Sequence, residues 1–91
     1  MVRRAAALFR AVGDAARLAL LERLAAGEQC VSAIALATGE RLSTVSQRLR
    51  VLRSEGLVVG RRDGKHVYYA VADAHVADIV RAALQHVSED A

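Results

Sequence analysis

The spacing of the apolar residues changes once along this chain, at Gly56, and that change limits the folds open to it. Upstream, apolar positions recur at three- and four-residue intervals, as in Leu18, Leu21, Leu24 and Ala25, and again in Val45, Leu49 and Leu52. Such spacing puts side chains on one face of a helix. Downstream, Leu57-Val58-Val59 and Lys65-His66-Val67-Tyr68-Tyr69-Ala70-Val71 read with a period of two. Asp63-Gly64 lies between them, a strong signal for a tight hairpin. A series of short helices, one hairpin and then a return to helix after Asp73 is the expected order.

Glycines mark where the helices stop. Helices are expected over 3–12 and 14–26, separated at Gly13-Asp14, with Asp14 as N-cap and Gly27 as terminator. A third, about 30–38, should end at Gly39, and a fourth should run from about Ser43 to Glu55 with Gly56 at the C′ position. Two short helices joined by a tight turn make a helix-turn-helix, and a basic hairpin directly after it makes a wing. The fold class expected is α+β, mainly α: a winged helix-turn-helix with a two-stranded wing and a C-terminal dimerisation helix. Residues 1–91 read as a single DNA-binding and dimerisation domain, without repeat, linker or proline.

Size and composition narrow the classes of function. A chain of 91 residues buries a modest core, and oligomerisation is a common source of extra stability at this size. Hydrophobic residues make up 54%, but many are alanine and no apolar run approaches the roughly 20 residues needed to cross a bilayer. The apolar run among Arg3, Arg4 and Arg10 is too short for a signal peptide. Cys30 is the sole cysteine, which excludes an intrachain disulfide and fits a reducing cytoplasm. The formal charge of +3 permits a polyanionic partner without requiring one.

On the fourth helix, Val45, Leu49 and Leu52 should face the core, leaving Ser43, Ser46, Gln47 and Arg50 on the opposite side. These side chains reach base edges and phosphates: Gln pairs with adenine, Arg with guanine, Ser with either. An ordinary solvated face of Ser, Gln and Arg would read the same way, but the wing cations Arg61, Arg62 and Lys65 stand ready beside it for phosphate contact. Ser43, Thr44, Ser46, Gln47, Arg50, Arg61, Arg62 and Lys65 are therefore the candidate contacts to double-stranded DNA.

The last segment offers another chemistry. Asp73, His75, His86 and Glu89 bring two imidazoles and two carboxylates, a donor set suited to Zn²⁺ or a neighbouring divalent ion. On a helix, His75 and His86 share a face but sit roughly 16 Å apart, so one helix cannot chelate with both. A second copy running antiparallel would set position 75 against 86 and 73 against 89 in essentially one register, about a two-fold axis near Val80 and Arg81, making two identical sites per dimer. Ile79 and Ala82 lie on that same side and suit close helix contact. The plain alternative is a solvated amphipathic helix whose polar face carries two histidines. Asp73 can also act as the helix N-cap.

Taken together, Leu8-Phe9-Arg10-Ala11-Val12-Gly13-Asp14-Ala15-Ala16-Arg17-Leu18, Glu28-Gln29-Cys30-Val31, Leu42 to Leu52, Gly56-Leu57-Val58 and Val67-Tyr68-Tyr69 resemble the ArsR/SmtB family of metal-responsive bacterial repressors, over nearly the whole chain. The resemblance implies a homodimer that binds a palindromic operator when metal-free and releases it when the ion binds. The Asp73, His75, His86, Glu89 pattern is similar to that of the branch with a site between the C-terminal helices, which includes zinc sensors. A second family site uses Cys-Val-Cys in the third helix, where this chain has Ser32; a related version needs Cys or His ligands near the N-terminus, and 1–12 contain neither. Cys30 accordingly reads as a small buried residue, and His66 as a strand or phosphate-contact residue. Leu42 stands where the family often has Gln, which bears on the operator sequence.

The ion expected is Zn(II), two per dimer, because four N and O ligands suit a tetrahedral centre; Ni(II) and Co(II) usually want more ligands, although Co(II), Cd(II) or Ni(II) could bind. Two other functions fit parts of the chain. One is a winged-helix repressor answering to a non-metal signal. The other is a zinc carrier or hydrolase, disfavoured because a hydrolytic site keeps a position open for water and no further nucleophile–base pair or Gly-rich phosphate loop is present.

Overall fold

The computed structural model describes residues 1–89. Its elements run α1 (Val2–Val12), α2 (Ala15–Ala25), β1 (Gln29–Cys30), α3 (Val31–Thr38), α4 (Leu42–Ser54), β2 (Val58–Asp63), β3 (His66–Val71) and α5 (Ala74–Glu89). Local chemistry sets the boundaries. Asp14 caps α2 by accepting from the Arg17 amide at 3.0 Å, while the Arg17 side chain reaches back to donate to the Ala11 carbonyl at 2.7 Å. One arginine thus fixes the α1–α2 corner from both sides. At the end of α4 the Gly56 amide donates to the Arg53 carbonyl and the Leu57 amide to the Leu52 carbonyl, each at 3.0 Å, with Gly56 at φ 72°. That Schellman arrangement needs a left-handed residue, so a side chain at 56 would be strained.

The sheet is antiparallel, with strand order β1-β3-β2. Two features depart from the expected hairpin. First, a third strand, β1, joins the wing by pairing Gln29 with Tyr69 and Cys30 with Tyr68. Two residues are too few to show a period, so this pairing had no local signature; it also leaves Cys30 half-exposed where a buried residue was expected. Second, Asp63 pairs with His66, so the turn is Gly64-Lys65, one residue later than Asp63-Gly64. Only Gly64 has positive φ there, at 63°. Gly at the first central position is the type II′ pattern, whereas a turn centred on Asp63-Gly64 would force Asp63 out of the strand.

The core gathers one stripe from each helix and the inner face of the sheet. Leu21 and Leu24 of α2, Ile34 of α3, Val45, Leu49 and Leu52 of α4, Leu57 and Val58 at the start of the wing, and Val80 of α5 are all essentially inaccessible. Tyr69 packs against this core and lies flat on Gly60, its cross-strand partner; a Cβ at Gly60 would come within 3.0 Å of the ring. The wing is thereby welded to the helices that hold α4. Among the described residues, no helix is long and apolar enough to cross a membrane.

Candidate nucleic-acid interface and metal-ligand positions

Burial of Val45, Leu49 and Leu52 fixes the rotation of α4 and turns the other face outward. Ser43, Gln47 and Arg50 are exposed; Thr44 and Ser46 are half-buried at the edges of that face. Arg50 donates from Nη1 to Gln47 Oε1 at 2.6 Å, linking two residues one helical turn apart. Arg48, nearer the core, is held by Glu40 in the α3–α4 turn, and that carboxylate raises the guanidinium pKa above its ordinary value.

The three wing cations differ in environment. Arg61 is gripped by Glu28 of the α2–β1 connection through two bonds, Nη2 to Oε1 at 2.7 Å and Nε to Oε2 at 2.9 Å. Its guanidinium also lies 4.7 Å from the centroid of the Tyr68 ring, its cross-strand neighbour. The Arg61 charge holds the Glu28 carboxyl below the usual carboxylate range. Arg62, paired across the strands with Val67, and Lys65 in the turn are exposed, and among the described residues neither has a side-chain partner. Arg62 and Lys65 can present an uncompensated charge to a phosphate, whereas the charge of Arg61 is already paired with Glu28. The partnership with Glu28 spans 33 positions and had no signal in the sequence.

His66 and Cys30 form a second pairing that sequence reasoning missed. Cys30 Sγ lies 3.2 Å from Ser32 Oγ and 3.7 Å from His66 Nδ1. Chiefly through the Ser32 hydroxyl, with help from the Ser32 and Ala33 amides and from His66, the thiol is pulled down to about 7. The two residues line a cleft between wing and α4 together with Ser46 and Lys65.

The C-terminal donors are all exposed on α5 or at its entry. Asp73 caps the helix, Oδ1 accepting from the Val76 amide at 3.1 Å, and the same oxygen lies 3.5 Å from His75 Nδ1. His86 and Glu89 stand one turn apart at the far end. Asp73 and His75 are therefore together, as are His86 and Glu89 on one face, but the two pairs are separated by about 16 Å of helix. Among the described residues, one chain gathers no group of three or more His, Cys, Asp and Glu side chains around a point. Each end offers a carboxylate and an imidazole, half of a tetrahedral N/O set, so the donor chemistry fits a divalent ion only if another helix completes it. Exposed apolar side chains lie on the terminal helices: Val2 and Phe9 on α1, Val87 on α5.

Residues 14–59 match the family model described as bacterial regulatory protein, arsR family. The chain is 44% identical over 84 residues to the transcriptional repressor SmtB homolog of Synechocystis, covering 92% of this chain and 64% of that protein. It is 41% identical over 81 residues to the HTH-type transcriptional regulator NmtR of Mycobacterium tuberculosis, covering 89% and 68% respectively. It spans between 39% and 64% of the length of the first curated relatives it matches. Among solved structures, the homodimeric winged helix-turn-helix DNA-binding domain from Mycobacterium bovis superposes with a TM-score of 0.87 at 40% identity, covering 98% of this chain and 82% of that one. Fold, matched segment and relatives agree: this chain belongs to the ArsR family of bacterial regulatory proteins.

Proposed function

We propose that the chain is a cytoplasmic transcriptional repressor, not an enzyme, whose metal-free homodimer binds a palindromic operator and releases it when Zn(II) or a related divalent ion binds at the dimer interface. The observation that carries this reading is the division of the α5 donors into two half-sets too far apart to act within one chain. Two antiparallel α5 helices would set Asp73 and His75 of one chain beside His86 and Glu89 of its partner. The exposed apolar residues of α1 and α5 supply a surface for that association, and the M. bovis neighbour is described as homodimeric. DNA contact is assigned to Ser43, Thr44, Ser46, Gln47 and Arg50 of α4 and to the wing cations Arg62, Lys65 and, on leaving Glu28, Arg61.

A divalent ion bound there would supply a positively charged bridge between the two chains. The protein's own part is to present neutral imidazoles and ionised carboxylates in the right register, and to tie α5 to the reading head. Arg81 of α5 donates to the Ala25 carbonyl at the end of α2 at 3.1 Å, so a change in the pairing of the α5 helices bears on the helix that packs against α4. The ion can weaken DNA binding only by favouring a dimer geometry in which the two α4 helices no longer match successive major grooves.

A second reading, a repressor answering to a non-metal signal, is favoured by one observation: Asp73 already has structural employment as the α5 cap. Zinc titration of the operator-bound dimer, followed by fluorescence anisotropy, separates the two. The metal-sensing reading expects release of DNA by the wild type, and no release by His86→Ala at unchanged metal-free affinity. Zinc saturation with operator affinity unaltered would leave a metal site but remove the sensor. Repeating the titration with Co(II), Cd(II) and Ni(II) ranks the ions.

A further inference from the structure

The two longest polar side chains on the outward face of α4 are engaged with each other, and this constrains what each can read. A guanidinium has only donors, so the group Gln47 turns toward Arg50 must be its carbonyl oxygen, as the 2.6 Å contact from Nη1 to Oε1 shows. Bidentate recognition of adenine requires that same oxygen to accept from N6 while the amide nitrogen donates to N7. The bond to Arg50 occupies one of the two lone pairs of that oxygen and fixes the amide against the guanidinium, so the first effect of the contact is on where Arg50 points. Arg50 loses little by the contact: one of its five N–H donors is used, and the remaining donors still include a parallel pair suited to guanine O6 and N7.

We propose that Arg50 is the guanine-reading residue of the recognition helix and that Gln47 is its positioning residue, holding the guanidinium fork at a fixed azimuth. This rests on the DNA-binding reading above and adds a base class to it: each half-site carries a guanine opposite Arg50. The buttress matters because an arginine on an exposed helix has many rotamers, and fixing one turn of it lowers the entropic cost of a bidentate contact. Gln47 retains both N–H donors of its amide and one lone pair on its oxygen for neighbouring groups. The pair couples through one bond on one helix, so its two members should behave as a unit.

The test is selection from a randomised duplex library with the full chain, metal-free, for wild type, Arg50→Ala, Gln47→Ala and Gln47→Glu. Wild type should enrich a guanine at one position per half-site. Arg50→Ala should lose that preference, a fall in discrimination of about 10- to 100-fold. Gln47→Ala should weaken preference at the same position by several-fold and leave the other positions as they were. Gln47→Glu, which keeps the acceptor and adds charge to the bond, should retain the guanine preference that Gln47→Ala weakens, a rescue that identifies the acceptor at position 47 as the support of Arg50. The proposal is overturned if Gln47→Ala erases an adenine preference at a different position, or if Gln47→Glu loses guanine as fully as Arg50→Ala does. A wild-type chain that enriches no sequence at all overturns the DNA reading itself, and is recognisable because no variant then differs from it.

Discussion

The wing carries three cations of which one is already paired, and salt dependence can count the difference. Each lysine or arginine that neutralises a phosphate releases about 0.9 of a counterion, so the logarithm of the binding constant falls with the logarithm of salt by about 0.9 per contact. A dimer has two wings. Arg62→Met should therefore remove two contacts and flatten the slope by about 1.8, and Lys65→Met should do the same. Between 50 and 200 mM salt a slope difference of that size makes the variant about 12-fold less salt-sensitive than the wild type, well within reach of anisotropy titrations.

Arg61→Met should behave differently. While it holds Glu28, Arg61 brings a neutral pair to the phosphate, and if it leaves, the freed carboxylate attracts a cation in turn. The counterion released from DNA is largely returned at Glu28, so the slope should change by well under half of the value for Arg62. Titrations of the three variants at five salt concentrations on one duplex decide it. Equal flattening by Arg61→Met and Arg62→Met would refute the argument, because it would show Arg61 contacting phosphate as an unpaired cation does.

Three further outcomes are expected. If the metal site spans the dimer, His75→Ala and His86→Ala homodimers should each lose both ions, but a mixed dimer should regain one, because one site then has an intact His75 from one chain and His86 from the other; no recovered binding in verified heterodimers would place the ligands within one chain. Cys30 should be alkylated by iodoacetamide at a rate that rises with pH through a midpoint about 7, since the thiolate is the nucleophile, and Ser32→Ala should move that midpoint upward; a midpoint at the ordinary thiol value in the wild type would contradict the observed environment. Leu49 is fully buried on the core face of α4, so Leu49→Ala should cost about 2–5 kcal/mol and lower the melting temperature by at least about 8 °C at fixed protein concentration, with a smaller shift in calorimetry pointing to collapse of the cavity.

Much of the fold was legible because its determinants are local. Val45, Leu49 and Leu52 recur at helical spacing and are buried, Asp14 caps α2 through a bond within three residues, and Gly39 and Gly56 take the left-handed conformation where helices end. The third strand was not legible: Gln29 and Cys30 become a strand only because Tyr69 and Tyr68, some forty positions away, present an edge to them. The same distance in sequence hid Glu28 from Arg61 and Cys30 from His66. The displaced turn has a different origin. Asp-Gly favours a turn with both residues at positive φ, but the register that buries Val58 and stacks Tyr69 on Gly60 pairs Asp63 with His66, and tertiary packing outweighs the preference of a dipeptide.

The candidate metal ligands were legible in the sequence together with the reason one chain cannot assemble them, and that reason is geometric. A helix is a straight rod rising about 1.5 Å per residue, and donors on the same face eleven positions apart cannot be brought to one ion by any change of rotamer, since imidazole and carboxylate side chains reach only a few ångströms from the axis. The only freedom left is to add a second rod. An antiparallel partner reverses the order of the donors, so whatever is missing at the Asp73 end of one helix is present at the Glu89 end of the other. In such an arrangement neither chain can hold the ion without the other. The number of ions recovered by mixed mutant dimers is therefore a direct reading of how the ligands are divided: one ion for antiparallel pairing with ligands shared, none if each chain were to supply a complete set.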